Sequence, residues 1–138
     1  GAGCIGSEDW MMALKIVVLN SAQLPSGTEF PPLKAMKYGW EEYPSLRAEE
    51  LPDRCWRAEI VVLLRSDTGA DRAIMEKLPR LRLLIAVGDA AARDQGVELL
   101  VFPEAFGSDA AAAQDLCNRS TQAIVHYLRS IVSLGELP

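Results

Sequence analysis

AEIVVLLRSDTGADRAIMEKLPRLRLLIAV, running from Ala58 to Val87, is the stretch whose reading decides the fold. Ala58 to Leu64 is apolar on both strand faces apart from Glu59, as a strand covered on both sides must be. Arg65-Ser66-Asp67-Thr68-Gly69 reads as the loop at its C-terminal end. A helix over about 70–78 follows and stops at Leu78-Pro79, because the residue before a proline is pushed out of helical backbone. Leu81 to Val87 is a second buried strand, closed by Gly88-Asp89. Strand, crossover and strand make a βαβ unit, in which the two strands lie parallel.

Outward from this unit the alternation continues. Leu14-Lys15-Ile16-Val17-Val18-Leu19 is another buried strand, ended by Asn20-Ser21. Pro25, Gly27, Pro31 and Pro32 forbid a regular helix across the middle of 21–37, leaving room for a short one around Leu33 to Lys37. Tyr38-Gly39-Trp40-Glu41-Glu42-Tyr43 alternates aromatic and acidic residues, which suits an edge strand with one wet face. Ser45 is expected to cap a helix over 47–57 in which Leu51 and Cys55 share a face, with Pro52 opposing it. A brief helix from Ala90 to Gln95 ends at Gly96, and Val97 to Phe102 reads as a fourth buried strand.

The last helix is the clearest. Ser108 is placed as its N-cap, Asp109 suits the positive end of its dipole, and it runs to about Ser133. Ala113, Leu116, Cys117, Ser120, Ile124, Tyr127, Leu128 and Ile131 recur at 3.6-residue spacing and form one apolar stripe. The sum is an α/β, flavodoxin-like three-layer domain. It has a mostly parallel sheet of about five strands and a long C-terminal helix.

Composition limits the function. The chain has 138 residues, 49% hydrophobic and 24% charged, which fits one domain with a real core and excludes a disordered chain. No run reaches the ~20 apolar residues of a membrane span. Fourteen basic against nineteen acidic residues give a net charge of −5, which argues against a nucleic-acid surface. Cys4, Cys55 and Cys117 are widely spaced, without C-x-x-C, and suggest neither a disulfide framework nor a thiolate metal site. A cytoplasmic setting is the expectation. His126 is the sole histidine and sits off the stripe, where it reads as solvated.

Gly1-Ala2-Gly3-Cys4-Ile5-Gly6 spells the dinucleotide fingerprint, yet that loop works only between a strand and a helix, and no strand precedes it here. Residues 1–12 are therefore expected to be a tag remnant or frayed tail, with the domain over 13–138. In parallel α/β sheets ligands bind beyond the C-terminal strand ends, which directs attention to 20–30, 65–69, 88–90 and 103–108. At 65–69, an Arg65 fork with the Ser66 hydroxyl suits a small carboxylate or phosphate. The bland alternative pairs Arg65 with Asp67 or Asp89. Asp89 and Glu104 are a weaker candidate for a carboxylate pair, since nothing in their spacing requires them to converge. A phosphoacceptor receiver needs acids after the first strand and a lysine after the last, and Asn20-Ser21 and Pro103-Glu104 do not supply them. Ser26-Gly27-Thr28 lies too late and among prolines for an FMN phosphate loop.

Leu14 to Pro103 resembles the N-terminal substrate domain of the D-isomer-specific 2-hydroxyacid dehydrogenases. The resemblance rests on Lys15 to Asn20 with the Pro/Gly-rich loop and Pro32-Leu33-Lys34-Ala35, on Ala58 to Leu63, on Ile74 to Val87 with its leucine-proline entry into a strand, and on Ala91 to Pro103. It implies a flavodoxin-like fold and a substrate-contacting segment at Arg65-Ser66. The family's NAD(P)-binding Rossmann domain and its catalytic residues have no counterpart in these 138 residues. The family's glycine-containing loop for the substrate carboxylate is cut here to Gly88-Asp89-Ala90, and Asp89 adds a repelling charge. The expectation is a stand-alone, non-catalytic homologue without a cofactor of its own. It would act by self-association or partner binding, as a homodimer through the C-terminal helix with Trp40 and Trp56. The alternative is a small-carboxylate module using Arg65, Ser66, Gly88 and Asp89, with the NAD-binding part on another chain.

Overall fold

The computed structural model describes residues 14–33, 38–45, 48–66, 70–88, 96–102 and 106–133. The expected tail at 1–12, the helices expected at 33–37 and 90–95 (all but Leu33), Asp67, Asp89 and Glu104 lie outside the described residues. Five strands, β1 (Leu14–Leu19), β2 (Tyr38–Tyr43), β3 (Ile60–Ser66), β4 (Leu83–Gly88) and β5 (Glu98–Phe102), form one sheet in the order β2-β1-β3-β4-β5. Every neighbouring pair is parallel. This is the flavodoxin-like order, and the parallel pairing explains why β1, β3 and β4 are apolar on both faces.

Alternation along these strands builds two cores. Leu14, Ile16, Val18, Ile60, Val62, Leu64, Leu83, Ile85, Val87 and Phe102 face one way. Val17, Leu19, Val61, Leu63 and Leu84 face the other. The second face is covered by α1 (Leu51–Cys55) and α2 (Ala70–Lys77), through Leu51, Cys55, Ile74, Met75 and Leu78. The first is covered by α3 (Ala110–Ser133), whose stripe residues Ala113, Leu116, Cys117, Ile124 and Leu128 are buried against it.

The prolines of 21–37 have the predicted effect as far as the described residues go. After β1 the chain makes a short 3₁₀ turn, Ser21–Gln23, and then runs as an extended strap that lays Phe30 and Leu33 on the α3 side of the sheet. Two reciprocal bonds fasten the strap to the helix: the Glu29 amide donates to Gln114 Oε1 at 3.2 Å, and Gln114 Nε2 donates to the Glu29 carbonyl at 2.9 Å. Phe30 then meets Trp40 edge-on with ring centroids 5.3 Å apart.

Several boundaries differ from the sequence expectations. Arg65 and Ser66 are the last residues of β3 and not loop, and Gly88 likewise closes β4, because Ser66 pairs in register with Gly88. The helix expected over 47–57 is a 3₁₀ turn, Ala48–Glu50, followed by only five helical residues; Pro52 is tolerated in the first turn, where its missing N–H is not needed. Its N-cap position is Glu50, without a side-chain cap bond, and not Ser45. The cap of α3 is Asp109, whose carboxylate accepts from the Ala111 and Ala112 amides at 3.0 and 3.1 Å, in place of Ser108. β5, whose apolar run suggests a buried strand, lies at the sheet's edge, and Leu99, Leu100 and Val101 are only half-buried.

Within α3, Ser120 is completely buried and its Oγ finds no partner, while its neighbour Thr121 donates to the Cys117 carbonyl at 3.0 Å. Replacing Ile124 by Ala should cost about 2–5 kcal/mol in urea unfolding, since it empties the centre of the helix–sheet contact. Ser120→Ala should instead be neutral or stabilising by roughly 1 kcal/mol, because it removes an unpaired buried hydroxyl.

Candidate functional site

The sheet's C-terminal edge is where the sequence directed attention. In the order β2-β1-β3-β4-β5 the switch point lies between β1 and β3, and the chain leaves them at Asn20 and Ser66. Asn20 holds the left-handed backbone conformation at φ 65°, which lets the chain turn sharply off β1 into its 3₁₀ turn. The Ala22 amide then donates to the Pro44 carbonyl at 3.2 Å, tying the β1 exit to the β2 exit. Ser66 and Gly88 are register partners on adjacent strands. Gly88 has φ 98°, which a side chain adopts only under strain. The structure thus brings the backbones of two of the four expected site residues, Ser66 and Gly88, side by side, with Arg65 one residue back on β3. The side chains of Arg65 and Ser66 and all of Asp89 lie outside what is described.

A second polar cluster stands on the face covered by α1. Lys15 Nζ lies 3.0 Å from Glu41 Oε2, and the Tyr43 hydroxyl donates to the same oxygen at 3.1 Å. Strand alternation puts Lys15 on β1 and Glu41 and Tyr43 on β2 on one side of the sheet, beside buried Cys55. Burial pushes the Tyr43 phenol up to about 12, helped by the hydrogen bond and negative charge of Glu41. Burial likewise pushes the Cys55 thiol up to about 11, against the opposing charge of Lys15. On the other face Cys117 is pushed up to about 11 by burial, with Glu42 adding to it. Thiols held protonated and inside the core are poor nucleophiles. Among the described residues no group of three His, Cys, Asp or Glu side chains is placed to hold a metal ion. His126 is exposed on α3, as its place off the stripe indicated.

A feature the sequence reading passed over lies at the opposite, N-terminal edge of the sheet. A cavity of about 600 Å³ opens there between the end of α2, the entry to β4 and the turn into β5, lined by Glu59, Leu78, Pro79, Arg80, Leu81, Arg82, Gly96 and Val97. Its trace in the sequence is the alternation Arg80-Leu81-Arg82 just after Pro79, where both arginines flank a buried leucine.

Comparison with protein-family models, with curated proteins and with solved structures returns no significant match. The fold therefore rests on the strand order and the two-faced core.

Three expected outcomes follow from this geometry. Gly88→Ala should destabilise the fold by about 1–2 kcal/mol, read as a lowered urea midpoint. In the folded protein Cys55 and Cys117 should resist an aromatic disulfide reagent at about pH 8 and react once urea is added. Tyr43, Cys55 and Cys117 all have native values above their ordinary 10 and 9. Their contribution to stability is thus complete below about pH 9 and is lost as the pH rises toward 12, which a urea midpoint measured against pH reads directly.

Proposed function

We propose that this chain is a non-catalytic relative of the substrate domain of the 2-hydroxyacid dehydrogenases and that it works by associating with a second copy of itself. The observation that carries the reading is the character of β5. It is an edge strand with the sequence Glu98-Leu99-Leu100-Val101-Phe102, mostly apolar and only half-buried. The other edge, β2, carries Glu41 and Glu42, charges that discourage a further strand from pairing. β5 has only Glu98, at its first residue. An edge of this kind presents main-chain donors and acceptors to any strand that can lie beside it.

Pairing two β5 strands antiparallel about a twofold axis through Leu100 sets Leu99 of each copy beside Val101 of the other and continues the sheet across the dimer. The apolar stripe of α3 is already occupied: Leu116, Ile124 and Leu128 are at most 4% exposed, packed on the chain's own sheet. A second copy meeting that helix would find its outer face, with Asp115, Asn118, Arg119, Gln122 and His126 exposed. The route through β5 is thus favoured over the route through α3. Support for the family relation is the flavodoxin-like strand order, which the resemblance of Leu14 to Pro103 implies.

A second reading is favoured by the backbone pairing of Ser66 with Gly88 at the C-terminal ends of β3 and β4, where a small carboxylate would meet backbone turned at Gly88. Glycolate at 100 times its Kd would then stabilise the fold by about 2.7 kcal/mol.

Light scattering at micromolar concentration should give the mass of two chains for the natural protein and of one chain for Val101→Lys. Val101 belongs to neither core cluster, so this variant should keep its thermal midpoint within a few degrees. A single-chain mass for the natural protein, or a dimer that survives Val101→Lys, overturns the β5 reading.

A further inference from the structure

The main chain of β5 already limits how a second copy can lie beside it. The Glu98 amide donates to the Arg82 carbonyl at 2.8 Å, so Glu98, and by alternation Leu100 and Phe102, turn their main-chain groups toward β4. Leu99 and Val101 therefore turn theirs to the open edge. In an antiparallel pair the outward groups of both copies must meet, which places the twofold axis on Leu99, Leu100 or Val101 and not between residues. Side chains choose among the three.

Glu98, Leu100 and Phe102 share the strand face that looks toward α3, since Leu100 and Phe102 both belong to the core on that side. From α3, the Arg119 guanidinium lies over the Phe102 ring, 4.6 Å from its centroid. A twofold axis through Leu100 stands perpendicular to the sheet, so this face is on the same side in both copies. It sets Leu100 against Leu100, and Glu98 directly opposite Phe102 of the other copy, in non-hydrogen-bonded pairs whose Cα atoms are about 4.5 Å apart. Glu98 of one copy then stands beside the cation that covers Phe102 in the other. From this placement we infer that Glu98 of each copy pairs with Arg119 of the other, and that these two symmetry-related ion pairs fix the axis at Leu100. The inference rests on the β5 reading of the dimer and adds its register.

Arg119 is already engaged by Asp115 at 3.6 Å, one turn earlier on α3, but both side chains are at least half exposed and the contact is a weak surface pair. A guanidinium has five N–H donors and takes a second carboxylate without losing the first. Glu98 is exposed and has no ion-pair partner among the described residues. The other two axes leave it unmatched. Through Leu99 it faces Leu100 of the other copy, and through Val101 it passes beyond Phe102, off the end of the strand. A foreign strand lying on β5 likewise brings no Arg119 to meet it. One carboxylate thus guards the edge against wrong neighbours and admits a single register of the right one.

The test is the dimer dissociation constant, measured by sedimentation velocity over a dilution series of the full chain at low salt. Glu98→Arg and Arg119→Glu should each weaken self-association about tenfold or more, since each turns two attractions into two repulsions. Mixed in equal amounts, the two variants should form a heterodimer of about the natural affinity, because one ion pair is then natural and the other has its signs exchanged. Such rescue does not follow from a loss of packing on Phe102, and thermal melts establish that each variant is folded. A natural protein that stays a single chain overturns the β5 reading and this inference with it. A dimer that Val101→Lys dissolves but neither charge reversal weakens, or a mixture no tighter than its two components, overturns the ion pairs and leaves the β5 reading standing.

Discussion

A parallel sheet whose central strands are apolar on both faces has to be covered twice, and that constraint organises this chain. β1, β3 and β4 contribute alternate residues to the two cores, and Ile16, Val17, Val18, Ile60, Val61, Val62, Leu84 and Ile85 have no exposure at all. Neither cover can be lost without putting one whole set of these side chains in water, at roughly 25 cal/mol for each Å² exposed. The α3 stripe supplies one cover and the short pair α1 and α2 the other. Because the stripe is committed to the chain's own sheet, the surfaces left for other molecules are the two sheet edges and the two ends of the strands.

The covers are unequal, and the inequality shapes the β1–β2 side. Where a helix would ordinarily connect the first two strands, the described part of the connection is a proline-bearing strap held to α3 by Gln114. It lays Phe30 and Leu33 over the sheet and leaves Tyr38 and Trp40 partly open beside them. Trp40 satisfies its ring N–H on Glu42 at 2.8 Å, and Lys15 and Tyr43 meet Glu41 on the other face. The acidic residues of β2 thus serve the aromatic side chains and charge the edge at the same time. β5, at the other end of the sheet, has no such guard beyond Glu98.

Most of the architecture was legible in the residues. Buried strands announce themselves by apolar character on both faces, and all five strands were placed to within two residues at either end. The long helix was legible because Leu116, Cys117, Ile124 and Leu128 keep one period over more than three turns. Capping and helix length were read less well. Ser108 and Asp109 are both good caps, and only the path of the chain out of Phe106 puts the Asp109 carboxylate on the Ala111 and Ala112 amides. The segment 47–57 has helical spacing at Leu51 and Cys55, but Pro52 fits only in the first turn of a helix, so the α-helix starts at Leu51 behind a 3₁₀ turn and ends at Cys55.

By itself, then, the sequence determined a parallel α/β sheet, its buried strands and the helix that covers one face, because hydrophobic period is a local property of the chain. Only the tertiary structure decided which strands stand at the edges, since β5 is as apolar as β3 and becomes an edge solely by its place in the order. It also decided that Ser66 stands beside Gly88, and that Glu59 shares a cavity with Arg80, Arg82 and Val97. Those neighbours are far apart along the chain, and the strand order that brings them together is set by packing two covers on one sheet, which no local pattern records.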